Sequence, residues 1–579
     1  MIEFKNLVQN IKDNNLDEAL ELCKKFENIR NSHIISNFKG VIYTQKENFK
    51  LAEENFLRSI KFNDKFIDPT KNLYLLYLKY KNYSKLLEYA IKLISFDSLN
   101  PTYNYFLAVA YELNNEPDNA IKFYKINIDL NGKEKKKSFN NIALIFSFTK
   151  KYKKALKFYL EAYKIDKSDK LIANNVFQTY LSLRDIKNSD ILFDICNGLD
   201  PNYKEFIKNR CEHLFLKKNI KEAIDLLEKN KNKDLDFLFK LIKVYYAIGE
   251  TDRGTTVLKE AIEKNINHPR NYGFLMNKYS SFNTSLGLRL LFKGDFENGF
   301  KLYENRSSKN QNYFKDIKEW NGENLRNKTI IVYNDQGLGD AIQFSKYLIP
   351  LSKIAQNIKF FVQDSIFDLF DNKINNLKIS SLKSIDHNVA DFKIALGSLI
   401  KFFYNKKINT NELSIKVEEK NKNHFKKIIN KNKLNVGLVW SGKIYGSGQP
   451  YRSIQLKKFE KILNLDANFF CLQNEVWEDD LPFLKKSKLK NYSHLNFKDI
   501  TALIENLDLI VTVDTLFLHL ASSLNKETWA LLCIDPDWRW GELNKFNPYN
   551  NTRIFVQETF DDWEVVLDKV YSQIKLLIK

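Results

Sequence analysis

TIIVYNDQGLGDAIQ, residues 329–343, decides how this chain is read. An apolar, β-branched run, Ile330-Ile331-Val332-Tyr333, gives way to Gly337-Leu338-Gly339 and then to Asp340 at the head of an apolar-periodic segment. That order is strand, tight turn, helix N-terminus. Glycines permit a positive φ in the turn and let the backbone approach a ligand closely, while the first N–H groups of a helix attract anions. An acid fixed at that point can act as a base, and it equally suits the dipole of a starting helix. The chain before this stretch reads as scaffold, and the chain after it reads as the second half of the same site.

Upstream the pattern is helical and periodic. The residues that open the second helix of each unit, Ala52, Leu86, Ala120, Ala155, Ser189 and Ala223, are spaced by 34, 34, 35, 34 and 34. Small and aromatic residues recur around them at fixed offsets, as Gly40, Tyr43, Ala52, Phe56, then Ala108, Tyr111, Ala120, Tyr124, then Ala143, Phe146, Ala155, Tyr159. A period near 34 is the tetratricopeptide spacing, and one helix pair cannot bury its apolar face alone, so the units must stack into a solenoid. Weaker units near Ala19 and at Tyr245 and Ala261, with GDFENGFKLYE at 294–304 as a last one, place about eight or nine units in residues 1–305.

Asn72, Asn141, Asn175 and Asn209 lie almost in register on the first helices, with Phe106 in the one gap. A carboxamide both donates and accepts, so such a ladder can pair with the backbone of an extended peptide without reading its side chains. It resembles the asparagine ladder in the repeats of the protein O-GlcNAc transferases. The same register also arises by coincidence in a chain this rich in asparagine.

At 579 residues the chain exceeds one ordinary core, given roughly 150 residues per domain. The 91 basic and 71 acidic residues leave a net charge of +20. The lysines are spread along helical stretches beside Asn and Ile, which reads as solvated faces rather than a dedicated anion surface. Arginine is scarce and no nucleic-acid motif is present, so no nucleic-acid partner is expected. Five scattered cysteines, Cys23, Cys196, Cys211, Cys471 and Cys533, form no C-x-x-C pair, which points to a reducing compartment without disulfide or zinc frameworks. No run approaches the roughly 18 apolar residues needed to span a bilayer, and MIEFKNLVQNIKDNN lacks the apolar core of a signal peptide. A cytoplasmic protein without a transmembrane segment is the expectation.

After a polar junction at 306–328, containing Trp320-Asn321-Gly322, strands alternate with helices. Residues 329–433 carry expected strands at 330–333, 358–362, 377–380 and 392–396, followed by a lysine-rich helix at 421–433. Residues 434–579 carry strands at 435–440, 469–473, 509–513 and 528–534, and a final helix at 561–578 able to pack on either half. Two successive α/β units of similar size predict two Rossmann-like domains facing one another across a cleft.

QGLGDAIQFSKYL (336–348), VGLVWSG (436–442), YRSI (451–454), LIENLDLIVTVDTLFLHLASSL (503–524) and PDWRW (536–540) resemble, in this order and spacing, the bacterial tetratricopeptide-fused glycosyltransferases. Their transferase half is similar to the ADP-heptose:lipopolysaccharide heptosyltransferases. The resemblance implies an α-solenoid followed by a GT-B fold of two Rossmann-like domains. It also implies sugar transfer from a nucleotide-activated donor to an acceptor hydroxyl, with inversion, without a metal, and with no cofactor beyond the nucleotide sugar itself.

The residues can be assigned on that basis. Asp514 and Thr515 stand at a strand end before a helix, where a diphosphate would meet N–H groups and the helix dipole; Asp514 equally reads as a helix N-cap. His519 lies one turn along the same face, as a donor contact or as a histidine packed on the sheet. The glycine-rich loop at 441–452 supplies Ser441 and Gly442 to the donor side, with the cations Lys443 and Arg452 suited to charge developing on a leaving diphosphate, and reads otherwise as a solvated surface loop. Arg452 and Ser453 match the family's Arg-Ser motif. Gln473, at the next strand end, is a candidate for the nucleotide base or ribose. By resemblance Asp340 is the acid beside the acceptor hydroxyl, a general base, while Gly337, Gly339 and Gln343 form the acceptor side. Asp535-Pro536-Asp537 has the look of a metal-binding D-x-D, but it sits inside the PDWRW motif and no metal role is expected of it. A protein acceptor held in the repeat groove is favoured, because so long a solenoid is excessive for a small acceptor. The alternatives are an adaptor with a degenerate transferase half and an enzyme of envelope-glycan assembly.

Overall fold

The computed structural model describes residues 2–26, 32–149, 151–231, 235–266, 273–306, 309, 314–385, 390–442, 452–541 and 549–578. Lys443 and the rest of 443–451 lie outside them. The chain divides into two compact units, 1–223 and 224–579.

The first unit is a helical repeat solenoid. Helix Ser32–Gln45 is followed by Phe49–Phe62, Asp68–Lys79 by Tyr83–Phe96, Pro101–Leu113 by Pro117–Asp129, Lys135–Phe148 by Tyr152–Ile165, and Lys170–Leu183 by Ile186–Leu199. The six residues that mark the period, Ala52, Leu86, Ala120, Ala155, Ser189 and Ala223, are all completely buried. Their N–H groups donate to the carbonyls of Asn48, Asn82, Glu116, Lys151, Asp185 and Asn219, the first full bond of each second helix. Just before each bond the chain must reverse sharply, and Glu47, Lys81, Asn115, Arg184 and Lys218 take left-handed φ values there, from 57° at Glu47 to 65° at Lys218. None is glycine, so each turn costs roughly 1–2 kcal/mol that the stacked helices offset. At the tightest crossing, a Cβ on Gly40 would meet the Phe56 ring at 2.4 Å, which is why that helix carries a glycine.

The division at 223/224 differs from the boundary expected at 305. Helices Leu235–Ala247, Thr251–Ile266, Gly273–Phe292 and Phe296–Tyr303 continue the repeat pattern yet belong to the second unit with the sheets. These helices also make contacts that a repeat period does not show. Arg289 makes a two-armed ion pair with Asp535, its guanidinium lies 3.8 Å from the centre of the Tyr246 ring, and the Phe292 carbonyl sits 2.3 Å from where a Cβ on Gly541 would be.

The strands of the second unit are β1 (Thr329–Tyr333), β2 (Asn357–Val362), β3 (Phe370–Asn372), β4 (Leu377–Ser381), β5 (Phe392–Ala395), β6 (Leu413–Ile415), β7 (Asn435–Val439), β8 (Asn468–Cys471), β9 (Lys490–Asn491), β10 (Leu509–Val513), β11 (Thr528–Leu532) and β12 (Thr552–Val556). They build a parallel sheet of order β4-β2-β1-β5, a second of order β12-β11-β10-β7-β8-β9, and a short antiparallel β3-β6 ribbon. The larger order is the doubly wound one, with its reversal between β7 and β10, and the smaller sheet reverses in the same way between β1 and β5. In such sheets ligands bind beyond the carboxyl ends at the reversal. The eight expected strands are present, with ends shifted by one or two residues. The lysine-rich helix is shorter than expected, Glu419–Lys426, and the final helix, Glu564–Ile578, packs Val566, Leu567, Val570 and Ile574 on the second half with Val436, Leu438 and Trp440. Among the described residues no helix is long and apolar enough to cross a membrane.

Candidate functional site

Two helices that leave the carboxyl ends of their sheets meet head to side. Helix Leu338–Phe344 follows β1, and helix Leu516–Ser523 follows β10. A Cβ on Gly339 would lie 2.7 Å from Cδ2 of His519 and 3.4 Å from the Leu516 Cα. This corrects the expected role of the glycines. Gly337 has φ of −68°, Gly339 is helical, and neither takes the left-handed conformation. Gly339 makes room for the His519 ring.

Asp340 faces both halves. Its Oδ2 accepts the Gly337 N–H at 2.9 Å, closing the helix start, and its Oδ1 is ion-paired with Arg539 Nη2. Arg539 stands in the Trp538–Trp540 turn, and its Nη1 lies 2.8 Å from Asp537 Oδ1. Burial pushes the Asp340 carboxyl above the ordinary range, Arg539 opposes that, and Asp537 and Asp335 add to it. Asp514, at the end of β10, is likewise raised by burial and by Asp537 against the pull of Arg452 and Arg539, and it receives the Trp540 indole N–H at 3.4 Å. Burial, with the nearby charges of Arg539, Lys346 and Arg452, keeps His519 neutral, its Nδ1 3.1 Å from the Tyr549 hydroxyl. Burial also lowers the Lys346 ammonium to about 8.

On the other side of the reversal, Ser441, Gly442, Arg452, Ser453 and Gln473 come together. The Gly442 N–H donates to Ser453 Oγ at 3.2 Å, and a Cβ on Gly442 would touch the Arg452 guanidinium at 3.1 Å. Gln473, expected at the nucleotide base or ribose, braces the loop after β7. Its Oε1 accepts the N–H groups of Trp440 (3.2 Å) and Ser441 (2.9 Å), and its Nε2 donates to Ser441 Oγ and the Glu475 carbonyl, both at 2.6 Å. That fills the amide's hydrogen-bonding capacity. Thr515 caps the helix after β10 without a side-chain bond to it, its hydroxyl 3.3 Å from that of Thr512.

Three side chains around this meeting point are not satisfied by the protein. Gln343, 2% exposed, has no partner for either amide atom among the described residues, and neither do the buried Nε atoms of Arg452 and Arg539. Folded chains pair nearly all buried polar groups, so these atoms mark a place where a ligand could be met. The arrangement can accept a proton at Asp340, balance negative charge with Arg452, Arg539 and Lys346, and hydrogen-bond a polar group at Gln343. Among the described residues no cluster of acids, histidines and cysteines suits a cation; Asp535 and Asp537 are each paired with an arginine.

In the solenoid the four ladder asparagines bond to neighbours. Nδ2 of Asn72, Asn175 and Asn209 donates to Asn37, Asn140 and Asn174 of the preceding repeat at 2.9, 3.0 and 2.9 Å, while Asn141 donates to the Tyr124 hydroxyl at 2.9 Å. Phe106 stacks on Tyr74 with ring centres 4.4 Å apart. The rungs therefore tie repeats together through their donors, and Asn209, 5% exposed, is enclosed.

Arg539, Lys346 and an anchor beneath the Asp340 loop were not singled out from sequence. Arg306 Nε bonds Asp335 Oδ2 at 2.7 Å with both side chains buried, and Tyr303 and Gln336 are bonded through hydroxyl and amide. The signal for Arg539 was its setting between two tryptophans in PDWRW; lysine abundance hid Lys346.

Residues 137–169 match the tetratricopeptide repeat family. No curated protein matches the chain. Among solved structures, a tetratricopeptide repeat protein from Parabacteroides merdae is similar at 15% identity, over 41% of this chain and 94% of that one, with a TM-score of 0.36. The pilF protein of Pseudomonas aeruginosa is similar at 13% identity, over 35% and 94%, with a TM-score of 0.31. YrrB, described as a TPR protein with an unusual peptide-binding site, is similar at 18% identity, over 33% and 98%, with a TM-score of 0.28.

Proposed function

We propose that residues 329–579 form a glycosyltransferase of the GT-B type that uses a nucleotide sugar, and that the repeats present a protein acceptor to it. The observation that carries the reading is the meeting of two doubly wound sheets at their carboxyl ends around Asp340, Asp514, Arg452 and the orphaned Gln343. In the reaction the acceptor hydroxyl gives its proton to the Asp340 carboxylate as its oxygen bonds the anomeric carbon from the face opposite the leaving group. The anomeric carbon–oxygen bond breaks, and its electron pair leaves with the nucleoside diphosphate, whose charge Arg452 balances. Ser441, Gly442, Ser453, Asp514 and Thr515 line the donor side; Gln343 orients the sugar or acceptor. Tetratricopeptide repeats supply a protein-binding groove, which supports a protein acceptor over a small one.

A second reading, an adaptor whose transferase half no longer reacts, draws on the ion pair that occupies Asp340. Purified protein incubated with a panel of sugar nucleotides separates the two. The enzyme reading requires a thermal shift with a donor and slow donor hydrolysis that Asp340→Ala abolishes without abolishing binding, and Arg452→Ala weakens both. No shift and no hydrolysis with any donor would leave the adaptor.

A further inference from the structure

Asp340 and Arg539 are 199 residues apart and belong to different halves of the second unit, yet they form an ion pair. The groups that act on Asp340 are the Gly337 N–H and Asp335 on its own loop, Tyr303 on the last repeat helix, Asp537 and Arg539 on the segment after β11, and Tyr549 beyond it. Arg539 is the cation in that set. Its guanidinium rests on aromatic faces, 5.1 Å from the centre of the Phe344 ring and 5.4 Å from that of Trp538, which support the cation apart from its carboxylate partners. One arm holds Asp340, the other holds Asp537, and the buried Nε has no partner among the described residues. A guanidinium is built for two-point bonding to phosphate, and a diphosphate carries more charge than one carboxylate.

We propose that Arg539 is a positioning residue that keeps Asp340 ion-paired until the diphosphate of an arriving donor draws the guanidinium away, so that donor binding frees the carboxylate that takes the acceptor's proton. The inference rests on the nucleotide-sugar reading above. It makes the donor the first substrate, since an acceptor bound alone meets a carboxylate already engaged.

The test is the pH dependence of turnover with a donor identified by thermal shift. The acid limb of kcat/KM for the donor reports the free enzyme, and that of kcat reports the donor complex. Loss of a neighbouring cation raises a carboxylate by about one to three units, so the kcat limb of the wild type is expected above the kcat/KM limb by that amount. In Arg539→Gln the two limbs are expected to coincide, with weaker donor binding, whereas Arg539→Lys keeps part of the gap. Coincident limbs in the wild type, or an undiminished gap in Arg539→Gln, would overturn the inference and leave the transferase reading standing. Failure of the wild type to bind or turn over any sugar nucleotide would remove both. Should Arg539→Gln not fold, the wild-type limbs alone decide.

Discussion

A Cβ added to Gly339 would stand 2.7 Å from Cδ2 of His519, closer than side-chain carbons come to other atoms. The two sheet-end helices meet so closely because one of them has no side chain there. Gly339→Ala is therefore expected to cost about 1–3 kcal/mol and to push His519 off Tyr549. All seven tryptophans lie in residues 320–563, so denaturant unfolding followed by tryptophan emission reads this unit alone, and an unchanged midpoint would refute the crossing.

Gln343 offers the opposite trade. Both amide atoms are buried without partners, an arrangement that costs about 1–3 kcal/mol and that a leucine of similar volume would relieve. Gln343→Leu is expected to be as stable as the wild type or more so by tryptophan emission, and to lose most donor hydrolysis or acceptor transfer. A variant that is both less stable and fully active would show the amide to be structural.

Lys346 sets a pH dependence. Burial brings its ammonium down to about 8 from 10.5, so below about 8 it is charged in the folded protein and above it neutral. The affinity of the cleft for a nucleoside diphosphate is therefore expected to fall as pH rises through about 8, and to be flatter in Lys346→Met. Stability runs the other way. Between about 8 and 10.5 the unfolded chain holds the proton that the folded chain has lost, so the wild type gains stability with rising pH and Lys346→Met does not. Calorimetric titration and denaturant midpoints measured across that window check both signs.

The asparagine rungs separate binding from architecture. Asn209→Ala leaves the buried Asn174 Oδ1 without its donor and is expected to destabilise the first unit by about 1–3 kcal/mol, whereas Asn72→Ala, whose side chain reaches solvent, costs less. Far-UV circular dichroism follows this unit, which has no tryptophan. Equal loss of protein glycosylation in Asn72→Ala, Asn141→Ala and Asn175→Ala, with stability unchanged, would mark the rungs as a peptide groove.

Periodic burial was legible in the chain, and contacts between distant segments were not. The repeat period rests on positions where a larger side chain cannot fit, and β-branched runs such as Ile330 to Val332 permit little but a buried strand, so both could be read directly. TRIFV at 552–556, with alternating polarity at a sheet edge, and the three-residue β3 and β6 lack that signal. Arg289 and Asp535 pair although they stand 246 residues apart, and no local pattern joins them. In the candidate site, Asp340 and Asp514 were singled out for their residue type beside a strand end, and Arg452 for its charge in a glycine-rich loop. The bracing bonds of Gln473 were not legible, because an amide at a strand end looks alike whether it reads a ligand or its own backbone. Arg539 carries its meaning only through Asp340.

The buried pairing of Arg306 with Asp335 bears on how such a chain changes over generations. Stacked repeats interact chiefly with their nearest neighbours, so a unit gained or lost in the first 223 residues alters reach while leaving intact the final helix that seats Tyr303 and Arg306 under the Asp340 loop. Array length is thus free to vary without disturbing the packing around Asp340. By the same token the last repeat is the most constrained: removing Arg306 would take a cation from a buried acid directly behind the loop that carries Asp340.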